Sequence, residues 1–92
     1  MPGVINNKKL FRFEIDLGES GPAYLDYRWK KGDMVLMRTF VPLAERGKGF
    51  GEQLVIAALE HAREKGLKVV IYCSFIEEFI KEHSEYTDLL AV

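Results

Sequence analysis

The sequence is poor in the residues that build disulfides and metal centres. Its 92 residues include one cysteine, Cys73, and two histidines, His61 and His83, which lie far apart along the chain. A single cysteine cannot form an internal disulfide or a multi-cysteine metal site. Histidines so widely separated lack the close spacing typical of zinc ligands. We therefore expect no metal site in this protein.

An excess of charge of either sign is also missing. The chain has 13 basic and 14 acidic residues, which give a formal net charge of -1. Such a balance provides no overall attraction to nucleic acid or to anionic membranes, so an anion site has to be local. No uncharged run is long enough to span a bilayer, and the first residues lack the apolar core of a signal peptide. The expectation is a cytoplasmic protein that binds neither nucleic acid nor membrane.

The sequence does contain enough apolar residues for one compact core. Hydrophobic residues make up 48% of the chain and aromatic residues 12%, and a chain of this length is expected to form a single domain, residues 1–92. Residues 1–9, which are mostly polar or small, are expected to be loosely ordered. Because so short a chain buries a small core, a binding site is expected to be a surface cleft.

Two segments near the start alternate between apolar and polar residues, which predicts strands with one buried face. The positions predicted to point inward are Phe11, Phe13, Ile15 and Leu17 in the first segment and Ala23, Leu25, Tyr27 and Trp29 in the second. Residues 34–41 begin with an unbroken apolar run, which predicts a third strand buried on both faces. Pro42 ends that strand, because proline cannot donate to the sheet. Short turns between the segments make the three strands antiparallel.

After the third strand the apolar period changes to that of a helix. Apolar residues recur every four positions, which predicts a helix over residues 49–65 with Gly66 as its C-terminal cap. Residues 67–72 form a short apolar segment rich in β-branched residues, which predicts a fourth strand. Because a strand–helix–strand connection forms a right-handed crossover, this strand is expected to pair in parallel with residues 34–41.

A second helix is predicted from Ser74 onward. Ser74 and Glu77 have the Ser-x-x-Glu spacing of a capping box, which marks a helix N-terminus. The predicted order is therefore β-β-β-α-β-α, a mixed sheet of the α+β or α/β class with one parallel strand pair. That pair lies next to a loop rich in glycine.

The loop between the third strand and the first helix has the composition of an anion site. Its residues are Arg46, Gly47, Lys48, Gly49, Phe50 and Gly51. Amide N–H groups at a helix N-terminus have no partner within the helix, and glycines allow an anion to approach them. A tight turn alone would explain the glycines but not the two basic residues beside them. The spacing matches neither a Walker loop nor a dinucleotide fingerprint, so the loop predicts some other phosphate or pyrophosphate ligand.

The pattern Arg46-x-x-Gly49-x-Gly51, placed between a strand and a helix, resembles the acetyl-CoA signature of the GNAT N-acetyltransferase superfamily. Other stretches are similar to a short, stand-alone group of that superfamily, which lacks the first helices of full acetyltransferases. They are residues 39–42, 58–63, 66–70, 73–75 and 83–86. The resemblance covers roughly residues 10–90. It implies a minimal GNAT-like fold in which the parallel strand pair splays apart at the CoA site.

The resemblance also implies roles for individual residues. CoA or acetyl-CoA would lie in the splayed gap, with its pyrophosphate on residues 46–51 and its thioester or pantetheine arm near the backbone N–H of Val41. Cys73, at the end of the fourth strand, would lie near the thioester. The implied reaction transfers an acetyl group to an amine of a small molecule or a protein. The resembled group often has histidine where this chain has Arg38, and arginine cannot act as a general base.

Cys73 fits two interpretations, as does the whole chain. A lone cysteine is commonly a small buried apolar residue, whereas a cysteine just before a helix N-terminus suits a catalytic nucleophile. Direct attack by the amine and an acetyl-Cys73 intermediate are both compatible with the sequence. So is a module that binds CoA or acyl-CoA without turnover, an alternative that the short chain and Arg38 favour.

Overall fold

The computed structural model describes residues 3–91 as a five-stranded mixed sheet with two α-helices packed against it. The strands are β1 (Ile5–Asn7), β2 (Arg12–Asp16), β3 (Pro22–Lys30), β4 (Asp33–Phe40) and β5 (Val69–Ile71), and the helices are α1 (Phe50–Lys65) and α2 (Ser74–Glu82). Short 3-10 helices lie at Gly18–Ser20, Leu43–Glu45 and Ser84–Leu89. The strands follow one another across the sheet in chain order, antiparallel as far as β4, and β4 and β5 are parallel. The predicted mixed sheet with one parallel pair is confirmed. Among residues 3–91, no helix is both long and apolar enough to cross a membrane.

The sheet has one strand more than the sequence predicts. The expectation of a loosely ordered start is wrong for Ile5–Asn7, which pairs antiparallel with β2. The Tyr27 hydroxyl donates to Asn6 Oδ1 at 2.6 Å, and Asn7 Nδ2 donates to Glu14 Oε1 at 3.1 Å. These side-chain bonds, which no apolar pattern can reveal, hold a short polar segment at the sheet edge. Residues 1 and 2, which shared that expectation, lie outside the described residues.

The inward positions of β2 and β3 form the floor of the core, as the alternating pattern predicts. Phe13, Ile15, Leu25 and Tyr27 are all buried in one apolar cluster with residues of both helices. The pattern fails at two positions. Phe11 is exposed and precedes β2 in a turn with a φ of 55°, and Trp29, near the end of β3, is also exposed. The sheet is therefore covered on the face that carries these four side chains, and the two helices pack on that face.

The ends of α1 are those expected from the sequence. The helix stops at Lys65 because Gly66 takes up a left-handed conformation with a φ of 68°. The Leu67 N–H then donates to the Ala62 carbonyl at 2.8 Å, which completes a Schellman motif. This stop directs the chain back along β4 and into β5.

The predicted capping box at the start of α2 is wrong. The helix begins with Ser74 itself, so Cys73 is the N-cap residue and no side chain caps this end. The Glu77 N–H donates instead to the Cys73 carbonyl at 3.0 Å. Because Ser74 lies one position inside the helix, it does not occupy the place from which a cap hydroxyl bonds the first turn.

β4 separates from β5 halfway along its length. The parallel pairing runs only from Met34 to Leu36, and the Tyr72 N–H makes a last bond to the Leu36 carbonyl at 2.9 Å. At this point the register between β3 and β4 shifts, so that Met37 is the extra residue of a β-bulge. A bulge bends its strand and increases the local twist, which turns the rest of β4 away from β5.

The bulge also explains why the prediction of a strand buried on both faces holds for only part of β4. Met34, Val35 and Leu36 are buried, whereas Met37 is exposed. Beyond Leu36, β5 no longer pairs with β4, so the second half of β4 has an edge free to form a site.

Candidate functional site

A cleft of about 610 Å³ opens between the second half of β4, the loop that follows it and the first residues of α1 and α2. Predicted site residues that line this cleft are Val41, Arg46, Gly47, Gly49, Phe50 and Gly51. The other two, Lys48 and Cys73, lie beside the cleft rather than on its wall. The structure thus brings most of the predicted binding residues to one surface cleft, where the splayed strands lead into the glycine loop.

The glycine loop has a backbone that favours glycine at two positions. Gly47 and Gly49 have φ angles of 82° and 86°, values that residues with a side chain rarely adopt. Gly49 is the N-cap of α1, and the first main-chain bond of the helix runs from Gln53 N–H to its carbonyl at 3.1 Å. No side chain caps this end of the helix. The N–H groups of the three residues between Gly49 and Gln53 are therefore available to a ligand in the cleft.

Arg46 closes the loop onto the end of the strand. Its Nε donates to the Val41 carbonyl at 2.9 Å, and both residues line the cleft. The guanidinium thereby fixes the backbone of Val41 while its remaining N–H groups stay on the exposed side of the loop. In addition to supplying charge, as the sequence predicts, Arg46 therefore positions the residue expected to meet the thioester arm.

The charge of Lys48 is offset by Glu45, a residue that was not predicted to belong to the site. Lys48 Nζ lies 2.9 Å from Glu45 Oε1, and Glu45 Oε2 accepts a hydrogen bond from the Ser20 hydroxyl at 2.8 Å. The hydrogen bonds from Lys48 and Ser20 lower the pKa of Glu45, so this carboxylate is ionised at neutral pH. Attraction of an anion here therefore depends on the backbone N–H groups and Arg46 more than on Lys48. The Glu-x-x-Lys spacing could have revealed this pair.

Cys73 faces β4 across the gap between the splayed strands. Its Sγ lies 3.8 Å from the Thr39 hydroxyl, and Thr39 is part of the cleft wall. The cysteine is partly exposed and packs against the edge of the core. It is therefore one residue removed from the cleft wall, close to the section of β4 that precedes Val41.

Arg38 lies on the other face of the sheet. Its Nε donates to Asp26 Oδ2 at 2.9 Å, and its Nη2 donates to the Tyr24 hydroxyl at 3.1 Å. Successive side chains of a strand point to opposite faces, so Arg38 points away from the face on which Thr39 meets Cys73. Arginine at this position is thus engaged in a surface ion pair outside the cleft.

Comparisons with known proteins agree on one family. A family model described as GCN5-related N-acetyl-transferase matches residues 12–89. Protein NATD1 of Danio rerio is 35% identical over 89 residues, which cover 92% of this chain and 81% of that protein. Protein NATD1 of Gallus gallus is 40% identical over 82 residues, which cover 87% and 74%.

A solved structure has the same architecture. The NMR solution structure of a GCN5-like protein from Staphylococcus aureus matches with a TM-score of 0.66 and 28% identity, over 88% of this chain and 81% of that one. The glycine loop and the splayed strand pair described above both fall within the 12–89 match. The chain therefore belongs to the GCN5-related N-acetyltransferase family.

Proposed function

We propose that this protein transfers an acetyl group from acetyl-CoA to an amine, and that the cleft beside β4 is its acetyl-CoA site. The observation that carries the proposal is a single cleft that runs from the glycine loop to Thr39, the residue in contact with Cys73. Membership of the family supports the class of reaction. A phosphate-binding loop and a nucleophile near one cleft are what a thioester substrate with a pyrophosphate requires.

The loop would hold the pyrophosphate. Unpaired N–H groups at the start of α1 would donate to phosphate oxygens, and the positive end of the helix dipole would favour the negative charge. Arg46 would add a further donor, and its bond to the Val41 carbonyl would keep the strand end fixed during binding. The thioester arm would then lie along the free edge of β4, where the N–H groups of that edge can meet its carbonyl.

Cys73 would carry the acetyl group between donor and acceptor. Its sulfur attacks the thioester carbonyl, the carbon–sulfur bond to CoA breaks, and the thiol proton passes to the departing CoA sulfur. The amine nitrogen then attacks the acetyl group on Cys73, the second carbon–sulfur bond breaks, and a proton from nitrogen returns to the cysteine. Exchange between two thioesters is close to isoenergetic, so formation of the amide drives the sequence. Thr39, whose hydroxyl lies 3.8 Å from the sulfur, would help to position it at the edge of the cleft.

Acetyl transfer by the wild-type protein tests the proposal. Incubation with acetyl-CoA and a panel of small amines and lysine peptides should release free CoA thiol and yield an acetylated amine detectable by mass spectrometry. Binding of CoA without thiol release above the buffer rate would identify a binding module without turnover. Failure to bind CoA by calorimetry would reject the cleft as its site.

Replacing Arg46 with alanine should weaken CoA binding by about three- to tenfold, the effect of one hydrogen bond at an exposed site. The plot of log Kd against log salt should also become shallower, because one charge near the phosphates is lost. Calorimetry at several salt concentrations measures both effects. Arg28→Ala is the matched control, since Arg28 also donates to a backbone carbonyl, that of Tyr27 at 2.7 Å, but lies outside the cleft. Equal effects of the two substitutions would contradict a local role for Arg46.

A further inference from the structure

Gly51 is required for a different reason from the other glycines of the loop. A Cβ atom at Gly51 would lie 3.0 Å from Cζ and 3.1 Å from Cε2 of the Phe75 ring. At Gly47 and Gly49 a Cβ would meet nothing within 4 Å, and the positive φ angles account for those glycines. Gly51 is instead buried within the regular first turn of α1. Its missing side chain provides the seat on which the Phe75 ring rests.

Phe75 contributes little to the fold for so large an apolar side chain. The core formed by the described residues takes Ile76, Phe79 and Ile80 from α2, whereas Phe75 lies outside it and is 40% exposed. Its ring lines the cleft together with Val41 and Phe50. A phenyl ring that lines a cleft, with part of its apolar surface exposed to solvent, is suited to packing against a ligand.

We propose that Phe75, seated on Gly51, is a specificity-determining residue that packs against the pantetheine arm of the bound thioester. This inference rests on the proposed function and deepens it. Towards the thiol, that arm consists of planar amides joined by unbranched pairs of methylene groups, which are narrow enough to fit between a phenyl ring and the strand backbone near Val41. The loop then recognises the phosphates and Phe75 recognises the arm, which makes the two contributions separable.

Two ligands separate the contributions: CoA itself, and 3′-phospho-ADP, which is CoA without its pantetheine arm. Phe75→Ala should raise the Kd for CoA about tenfold, the effect of losing one apolar wall. It should leave the Kd for 3′-phospho-ADP unchanged, because that ligand has no arm to pack. Phe11→Ala is the matched control, since Phe11 is 41% exposed and lies outside the cleft.

A double-mutant cycle tests whether the packing of the Phe75 ring on Gly51 contributes to CoA binding. Gly51→Ala places a methyl group against the ring, which is partly exposed and can shift, while alanine favours the helix. In the wild-type background it should raise the Kd for CoA several-fold, and in the Phe75→Ala background it should have no further effect. Such dependence of one substitution on the other is the sign of a shared contact.

The outcomes distinguish this inference from the proposed function. If the wild-type protein fails to bind CoA, the proposed function fails and the inference with it. If CoA binds and Phe75→Ala changes neither Kd, or changes both equally, the pantetheine contact is wrong while the acetyl-CoA site stands. Additive effects of Gly51→Ala and Phe75→Ala would show that the packing of Phe75 on Gly51 does not matter for CoA binding. If Phe75→Ala weakens the binding of CoA but not of 3′-phospho-ADP, and the double-mutant cycle is non-additive, the pantetheine contact and the packing of Phe75 on Gly51 are both established.

Discussion

Gly49→Val should weaken the binding of CoA by about 100-fold or more in a protein that still folds. Gly49 has a φ of 86° at the N-cap of α1, and a β-branched residue is strongly disfavoured there. The loop would have to rotate to relieve the strain, which removes at least two backbone N–H groups from the phosphate position. Hydrogen bonds to charged groups contribute about 1.5–3 kcal/mol each, so losing two weakens binding roughly 100-fold or more. Calorimetric titration with CoA measures the loss.

Gly32→Val is the matched control for this experiment. Gly32 has a φ of 85° in the turn between β3 and β4, and a Cβ there would likewise meet nothing within 4 Å. The two variants should lose similar stability, about 1–3 kcal/mol for the strained residue, which thermal unfolding reports. Only Gly49→Val should lose CoA affinity. A folded Gly49→Val protein with unchanged affinity would rule out the loop as the phosphate site, and equal loss in both variants would assign the effect to general destabilisation.

Local signals in the sequence were sufficient for the central part of the fold. The helix that follows the loop was predicted from residue 49 to 65 and is observed at Phe50–Lys65. Its apolar period, the glycines before it and the cap at Gly66 are all encoded within a few residues of where they act. The same locality is the reason that the glycine loop could be predicted as a ligand site.

Features that depend on distant parts of the chain could not be predicted in the same way. β1 exists because Asn6 and Asn7 bond to Tyr27 and Glu14, residues on two other strands. The bulge at Met37 is a mismatch of register between β3 and β4, so the apolar run that contains it still suggested a continuous buried strand. Strand β1 and the bulge both depend on the strand with which a segment pairs. The apolar pattern of one segment carries no information about that partner strand.

The contact between Thr39 and Cys73 is non-local as well. Thr39 lies just beyond the bulge, and Cys73 follows the short strand β5. The resemblance implied only that the cysteine would be near the thioester. The structure adds a neighbour, the Thr39 hydroxyl at 3.8 Å from the sulfur. The role of the cysteine can therefore be tested by substituting Thr39 as well as Cys73.

Cys73→Ala should reduce acetyl transfer to the uncatalysed rate while leaving the Kd for CoA within about twofold of wild type. The sulfur is the group that accepts the acetyl in the proposed sequence, so its removal eliminates the covalent step. The phosphate loop does not include Cys73, so affinity should be preserved. Steady-state release of CoA thiol measures the rate, and calorimetry measures the affinity. Mass spectrometry of the wild-type protein mixed with acetyl-CoA, without an amine, should show one added acetyl group, located on Cys73.

Thr39→Val separates positioning of the sulfur from its chemistry. Valine keeps the volume of threonine and removes the hydroxyl that lies against the Cys73 sulfur. We expect slower transfer, retained acetylation of Cys73 and little change in CoA affinity, because the nucleophile is still present but less well positioned.

Bound CoA should also protect Cys73 from iodoacetamide in wild-type protein, since the reagent and the CoA thiol need the same space. Undiminished transfer by Cys73→Ala would show that the amine attacks acetyl-CoA directly, and would reduce Cys73 to a residue that packs beside the cleft.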